Sequence, residues 1–262
     1  TKGLNVVSSR EGKIASEGML TLATKGSQLA VLAEVNCQTD FVAKNADFRD
    51  FANTVAQSVL KQHVAGDVVS VDEVETQRKS LIVTTKENVV VRRWFIEEAI
   101  NPNARVFSYV HLNNKVGAML TLLAPSEDAW ANPAFLQLGE DLLMQITAMN
   151  PTAISVENLP SDVVGRQKTI FENQLREANK PQVQWEKILA GKLNKWHTEV
   201  CLLKQESIII PKSSVEKVIQ QVSAKLGGEI VVVNFLRCQV GEGLETKKSD
   251  DFSMEVAKLT NQ

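Results

Sequence analysis

The residues best suited to chemistry lie in one short stretch, 34–44, which reads Glu-Val-Asn-Cys-Gln-Thr-Asp-Phe-Val-Ala-Lys. A strand rich in Leu, Val and Ala ends at Cys37 and helical spacing of apolar residues starts at Phe41, which predicts a strand-to-helix junction. Two interpretations fit this junction. In the first, Thr39 or Asp40 caps the helix and Phe41 packs as a hydrophobic staple or as the first core residue. In the second, Asp40 and Phe41 form an exposed acidic and aromatic tip suited to a pocket on a partner.

Motifs of covalent and nucleotide chemistry are missing from the sequence. It contains no GxxxxGK[ST] phosphate loop, no GxSxG nucleophile turn and no HExxH metal motif. The three histidines, His63, His111 and His197, form no recognisable catalytic group, and His111 is predicted to be exposed near the tip of a hairpin. Residues 241–243 (Gly-Glu-Gly) are interpreted as a surface turn. The sequence therefore predicts no catalytic residue, no metal ligand and no cofactor.

The cysteines, Cys37, Cys201 and Cys238, are odd in number and far apart. No disulfide framework is therefore predicted, and a reducing compartment is favoured. We expect the cytoplasm, with the mitochondrial matrix or a plastid as alternatives. Cys37 and Cys238 are predicted to be core thiols. An enzyme that uses Cys37 or Cys201 as a nucleophile is a rival interpretation.

Two consecutive arginines, Arg92 and Arg93, end a β-branched run. Because successive residues of a strand point to opposite faces, the two side chains are predicted to straddle the sheet, with one arginine on a solvated face. A contact with a phosphate group is the alternative interpretation of this pair.

Composition narrows the class of protein. The 262 residues are 44% apolar and 23% charged, which excludes a mainly disordered, collagen-like or disulfide-stapled chain. The 29 basic and 31 acidic residues give a net charge of −2, so binding of nucleic acid through a dominant basic field is not expected. No apolar run approaches the roughly 20 residues of a membrane helix, and residues 1–9 lack the apolar region of a secretory signal.

The elements that must position residues 34–44 belong to two units with the same order of hairpin, helices and closing strand. In the first unit, strands are predicted at 18–24, 28–37 and 88–95, with helices from 41 to about 63–66 and at 71–81. In the second unit, strands are predicted at 105–112, 116–123 and 229–240, with helices at 135–149, 160–179, 184–198 and 213–225. Residues 252–259 also have helical spacing.

These patterns predict an α+β fold. It has two subdomains, each a three-stranded antiparallel sheet covered on one face by helices, plus a C-terminal helix, because a three-stranded sheet needs a buried face. Residues 1–17 are expected to be a linker or short exposed helix outside the core. Residues 18–100 and 101–248 are expected to form the N-terminal and C-terminal core subdomains, the second with a helical hairpin, and residues 249–262 the C-terminal helix.

Residues 34–44 resemble the signature stretch of the translation elongation factor Ts family, and the likeness continues in the same order from about Gly12 to Leu259. It includes the Glu-Gly end of a linker at 12–18, Glu-Asn-Val-Val-Val-Arg-Arg at 87–93, Ser-Tyr-Val-His at 108–111, and the segments 191–203 and 235–243. This coverage is more specific than any single motif.

The resemblance implies a guanine nucleotide exchange factor for elongation factor Tu that makes and breaks no bond itself. In the family, the tip equivalent to Thr39, Asp40, Phe41 and Val42 inserts into the GTPase domain near its bound magnesium. Phe41 is then expected to wedge between partner side chains, and Asp40 to contact the same region. His111 is expected to form a second contact, and the C-terminal subdomain and helix a further interface.

Several features depart from the family pattern. Nothing matches the small three-helix domain that usually opens family members, and if that domain is missing the affinity for the partner should be lower. Lys86 stands where the family often has glycine before Glu-Asn-Ile, and residues 205–207 (Gln-Glu-Ser) replace Gln-Pro-Phe. The long coiled-coil insertion of some bacterial members is not evident either, because residues 160–198 can form only a short hairpin.

The alternative function is an RNA-associated α+β module that binds through its sheets. The strands lack a set of stacking aromatic residues, however, so direct binding of nucleic acid is not expected. Contact with a membrane is not expected either, and the sequence predicts no particular oligomeric state.

Overall fold

The computed structural model describes residues 2–111 and 113–244. The first unit contains helices α1 (Lys2–Arg10), α2 (Asp40–Ala43), α3 (Ala46–Ala65) and α4 (Glu75–Thr85), and strands β1 (Glu17–Lys25), β2 (Leu29–Cys37) and β3 (Val90–Glu98). The second unit contains strands β4 (Ala104–Val110), β5 (Val116–Leu123) and β6 (Val231–Gln239), and helices α5 (Pro133–Met149), α6 (Ser161–Glu177), α7 (Trp185–Val200) and α8 (Val215–Leu226). The helix expected at 249–262 lies outside the described residues.

Each unit builds a three-stranded antiparallel sheet, with the strand order β1-β2-β3 in the first and β4-β5-β6 in the second. The predicted α+β class with two such sheets is confirmed. Gly26 and Asn114 adopt positive φ values of 61° and 55° in the turns of the two hairpins. Short hairpin turns favour this conformation because its twist matches that of the paired strands.

Helices cover the outer face of each sheet, as the sequence predicts. Val31 of β2 packs with Phe48 of α3 in a first core, and Leu120 of β5 packs with Phe135 of α5 in a second. These residues recur at a period of two along the strands and at helical spacing along the helices, so the two patterns meet at one apolar interface.

The inner faces of the two sheets pack against each other, in addition to the predicted helical cover. Leu20 and Leu32 of the first sheet share one cluster with Met119 and Cys238 of the second. Every residue of β2 is buried, which explains why this strand is almost continuously apolar. The central strands β2 and β5 therefore offer no open face for the base stacking that an RNA-binding sheet needs.

The single helix predicted from residue 41 onward is in fact two helices. The first, α2, ends at Ala43, and Asn45 then adopts an extended conformation (φ −65°, ψ 138°). Its side-chain Oδ1 accepts a hydrogen bond from the Asp47 amide at 2.8 Å and so caps α3. The apolar spacing concealed this break because Val42 packs against the same core as Phe48. Asparagine favours such a break because its side chain competes for backbone hydrogen bonds.

The N-terminal segment is not outside the core, contrary to expectation. Val7 of α1 is buried in the first core. The Asn88 side-chain amide donates hydrogen bonds to the carbonyl oxygens of Glu11 and Lys13 at 3.1 and 2.7 Å, and Arg78 pairs with Glu11 at 2.6 Å. These bonds attach the segment to the first unit.

The helices α6 and α7 pack side by side as the expected helical hairpin. The Arg176 guanidinium lies 5.9 Å from the ring centroid of Trp185, and the Lys192 ammonium lies 5.1 Å from that of Phe171. Such cation–π contacts stabilise the pairing of the two helices. Among the helices of the described ranges, none combines the length and apolar character needed to cross a membrane.

Candidate functional site

The junction after β2 is a single helical turn held by a threonine hydroxyl. Thr39 is the N-cap of α2, with an extended backbone (φ −126°, ψ 155°), and its Oγ1 accepts a hydrogen bond from the Val42 amide at 3.4 Å. Thr39 rather than Asp40 is therefore the cap, which decides between the two residues that the sequence left open. No residue of α2 is fully buried, so this turn lies at the surface.

Phe41 points away from the core. It is 81% exposed, whereas its neighbour Val42 packs, partly buried, against the first core. The interpretation of Phe41 as the first core residue of a helix is therefore wrong. The structure has the alternative arrangement, in which Asp40 and Phe41 form an exposed tip; we call residues 39–42 the tip from here on.

Asp40 pairs with Lys44 at the surface of the tip. The Lys44 ammonium donates a hydrogen bond to Asp40 Oδ2 at 2.6 Å. This hydrogen bond lowers the pKa of Asp40 and raises the pKa of Lys44, so both groups are charged at neutral pH. An exposed pair of this kind adds little to stability. Its consequence is that the tip presents a carboxylate beside an exposed aromatic ring.

A carboxylate from a distant part of the chain holds the start of the tip. Glu87 Oε2 accepts hydrogen bonds from the Gln38 and Thr39 amides at 3.1 and 3.0 Å, and Oε1 accepts one from the Thr39 hydroxyl at 2.6 Å. In return, Gln38 Oε1 accepts a hydrogen bond from the Asn88 amide at 2.9 Å. No local pattern in the sequence indicates this role of Glu87, although the residue begins the segment 87–93 that resembles the family.

A cleft of about 350 Å³ separates α2 from the turn of the second hairpin, residues 113–115. The Leu20 amide of β1 donates a hydrogen bond to the Asn114 carbonyl at 2.8 Å, which holds this turn against the first sheet. His111 precedes the turn and is exposed as predicted, with Nδ1 at 3.1 Å from the Tyr109 hydroxyl. The structure thus places α2 and the hairpin that carries His111 on either side of one cleft.

The three cysteine thiols are buried. Burial raises the pKa of Cys37 and of Cys238 to about 12, and it also raises the pKa of Cys201. Thiols of this kind are protonated at neutral pH and are poor nucleophiles. Within residues 2–111 and 113–244, no three His, Cys, Asp or Glu side chains are grouped as ligands for a metal ion.

The two arginines at the end of the β-branched run do not straddle the sheet. Glu34 pairs with Arg93 and Val35 with Val91, so Arg92 is the extra residue of a bulge. Both guanidinium groups therefore reach the same buried carboxylate: Arg92 Nη1 lies 3.0 Å and Arg93 Nε 2.6 Å from Glu34. The prediction failed because a bulge interrupts the alternation of strand faces.

The predicted turn at 241–243 is a turn, and it joins the second sheet to this ion cluster. Gly241 (φ 76°) donates its amide hydrogen to Glu34 Oε1 at 2.8 Å, and Arg92 donates to the Glu242 carbonyl. A Cβ atom on Gly241 would lie 2.5 Å from the Ser16 carbonyl oxygen. Glycine is therefore required at this position both by its conformation and by the space available.

Comparison with known proteins bears on the same segments. The sequence model of a family described as "Elongation factor TS" matches residues 38–242. Curated proteins named Elongation factor Ts from Syntrophotalea carbinolica, Trichlorobacter lovleyi and Symbiobacterium thermophilum are 36%, 35% and 33% identical to this chain. These alignments cover 98 to 99% of this chain and 84 to 86% of the relatives.

Proposed function

This chain belongs to the elongation factor Ts family, and from that membership we propose that it promotes the release of GDP from elongation factor Tu during translation elongation. Its partner is then the GTPase itself, and the factor makes and breaks no covalent bond. The buried, protonated thiols are poor nucleophiles, which fits a role in docking.

The observation that carries the proposal is the exposure of Phe41, at 81%, on a turn held by hydrogen bonds. Burial of an exposed phenylalanine by a partner favours binding by roughly 1.5–3 kcal/mol. Phe41 lies in the stretch that resembles the family's inserting tip. We therefore propose that the exposed ring enters a pocket in the GTPase domain of elongation factor Tu.

The mechanism that we propose uses the tip to disturb the magnesium site of the GTPase. Phe41 wedges between partner side chains, and the Asp40 carboxylate contacts the same region, with Thr39 and Val42 holding the turn. Magnesium links the phosphate oxygens of a bound nucleotide to the protein, so a weaker hold on the metal loosens GDP. The effect is a coupling free energy: the factor weakens GDP binding, and GDP weakens binding of the factor equally.

A second contact is proposed for His111. Its hairpin and α2 line one cleft, so a single partner surface that covers the cleft can reach both. The C-terminal subdomain is proposed to extend this interface. The contribution expected from the helix at 249–262 lies outside the described residues.

The test measures the release of labelled GDP from elongation factor Tu with and without this protein. We expect acceleration by the unmodified chain and a loss of most of it in Phe41→Ala. Because Phe41 is exposed, the substitution should leave the melting temperature nearly unchanged, whereas truncation of a core phenylalanine costs about 3–5 kcal/mol of stability. A normal rate of exchange in a folded Phe41→Ala variant would contradict the proposal.

A further inference from the structure

We propose that Glu87 is a positioning residue for exchange, because it fixes the tip in the orientation that exposes Phe41. This inference rests on the proposed exchange function. Glu87 lies before β3, far along the chain from the tip, and it has no direct part in the wedge. Its carboxylate acts through Thr39 instead.

Glu87 accepts hydrogen bonds from backbone amides that lie between β2 and α2 and take part in neither element. The last ladder pair of β2 joins Cys37 to Glu17, and α2 starts only at Asp40. The Gln38 and Thr39 amides lie between these two elements, and both donate to Glu87 Oε2. One carboxylate oxygen thus replaces the acceptors that a strand or a helix provides elsewhere.

The third hydrogen bond sets the direction of the cap. The Thr39 hydroxyl donates its hydrogen to Glu87 Oε1 at 2.6 Å, which leaves its lone pairs free to accept from the Val42 amide. Without Glu87 the hydroxyl is free to rotate, and the cap of α2 weakens. A helix of four residues is too short to persist by itself.

The exposed ring has little else to keep it in place. Phe41 is 81% exposed and is absent from the residues that pack against the first core. Its position therefore depends on the backbone of the turn rather than on packing. A turn that is already ordered lowers the entropy lost on binding, and this preorganisation is the advantage that Glu87 supplies.

Glu97 provides a matched control. Its carboxylate also accepts hydrogen bonds from two distant residues, the Thr121 hydroxyl at 2.6 Å and the Asn234 amide at 2.9 Å. Those bonds join the two sheets and do not involve the tip. Glu97→Ala therefore removes a carboxylate of similar connectivity without touching Thr39.

The first test places Glu87→Ala and Glu97→Ala in two backgrounds, unmodified and Phe41→Ala, and measures acceleration of GDP release from elongation factor Tu. If Glu87 acts through the tip, its loss should slow exchange about five- to tenfold with Phe41 present and less than about twofold without it. Glu97→Ala should have the same effect in both backgrounds. An equal loss for Glu87→Ala in both backgrounds, or no loss in either, would overturn the inference.

Glu87→Gln keeps the test usable if Glu87→Ala does not fold. The amide has one acceptor oxygen in place of two, so its effect on exchange should be smaller than that of alanine and should likewise vanish when Phe41 is absent. An effect of glutamine that persists without Phe41 would count against positioning.

A second readout needs no partner. In the isolated protein, hydrogen exchange of the Gln38 and Thr39 amides should be about tenfold faster or more in Glu87→Ala, with the Leu32 amide at the centre of β2 unchanged. Unchanged exchange at Gln38 and Thr39 would overturn the inference while leaving the proposed function intact. If the unmodified chain does not accelerate GDP release at all, the proposed function fails, and the positioning role fails with it even where the amides respond.

Discussion

At the scale of single residues, the site depends on the opposite directions of two neighbours. Phe41 and Val42 are adjacent in α2, and successive residues of a helix differ by about 100° around its axis. Val42 turns towards the first core, and Phe41 is left 81% exposed. The helix ends at Ala43, and the residues that follow it are the polar Lys44 and Asn45, so no apolar neighbour along the chain covers the ring.

The roles proposed for Asp40 and Phe41 predict a dependence on magnesium. If the tip disturbs the metal site, the acceleration of GDP release should be smaller when EDTA has already removed the metal. Asp40→Ala and Phe41→Ala should reduce this dependence, because each removes part of the contact with the site. The measurement is the stopped-flow rate of GDP release at a series of magnesium concentrations.

His111→Ala serves as the control for this prediction. His111 belongs to the second hairpin, whose turn at residues 113–115 lines the cleft opposite α2. Its substitution should weaken complex formation and retain the dependence on magnesium. An acceleration that is equally large with and without magnesium would mean that the tip acts on another part of the nucleotide site, and the magnesium mechanism would have to be dropped.

At the scale of elements, α4 ends immediately before Glu87, so the conformation of this helix end sets the position of Glu87 relative to the tip. Lys86 is the C-cap of α4 and adopts a left-handed conformation with φ 57° and ψ 26°. This conformation explains why the resembling family often has glycine here, since glycine adopts it without a steric cost. The replacement of glycine by Lys86 therefore affects the backbone conformation at the end of α4.

Lys86→Gly is predicted to stabilise the protein. Removing the Cβ atom relieves the left-handed conformation, and the free energy of unfolding should rise by about 1 kcal/mol. Lys86→Ala keeps a Cβ atom and should show no such gain. Urea unfolding of the three proteins measures the difference, and a glycine variant no more stable than the alanine variant would contradict the explanation.

At the scale of the whole molecule, one buried carboxylate connects the two sheets. Glu34 is fully buried in β2 and receives hydrogen bonds from Arg92, Arg93, Asn36 and the Gly241 amide. Gly241 follows β6, so this cluster joins the end of the second sheet to the first. Segments that carry the family resemblance thus meet in a structural cluster as well as in the tip.

Glu34 is predicted to make stability depend on pH. Burial alone would raise its pKa, but hydrogen bonds from Gly241, Arg93, Arg92 and Asn36 outweigh burial and hold the pKa below its ordinary value. A carboxyl group whose pKa is lower in the folded state stabilises the fold fully above its unfolded pKa, about 4.3 for glutamate. That contribution is lost as the pH falls from there through the lower, folded pKa.

Glu34→Gln should therefore lower the free energy of unfolding at neutral pH and flatten its fall below about pH 4.3. Breaking a buried ion pair costs about 3–5 kcal/mol, and the lower end is expected because the arginines remain partly exposed. Asp162→Asn, which removes the exposed partner of Arg166, should cost less than about 1 kcal/mol. An acid-unfolding curve of Glu34→Gln parallel to that of the unmodified protein would refute the assignment.

The family and most of the helices and strands of this protein could be predicted from its sequence. The spacing of apolar residues predicted both sheets and the helices that cover them. This spacing follows from the local geometry of strands and helices, so it can be recognised within each segment of the sequence. The stretch 34–44 was sufficient to locate the tip. Its local pattern did not decide whether Phe41 faces the core or the solvent, because a single turn contains too few residues to define a face.

The contacts that hold the tip, and the polar groups that pair across the molecule, could not be predicted from the sequence. Glu87 reaches Thr39 from a position 48 residues away, and Gly241 reaches Glu34 from 207 residues away. A β-bulge, which the residue pattern does not predict, turns both Arg92 and Arg93 towards the Glu34 carboxylate. Such contacts form where packing brings distant segments together. The spacing of residues within a segment does not indicate which other segment it will contact.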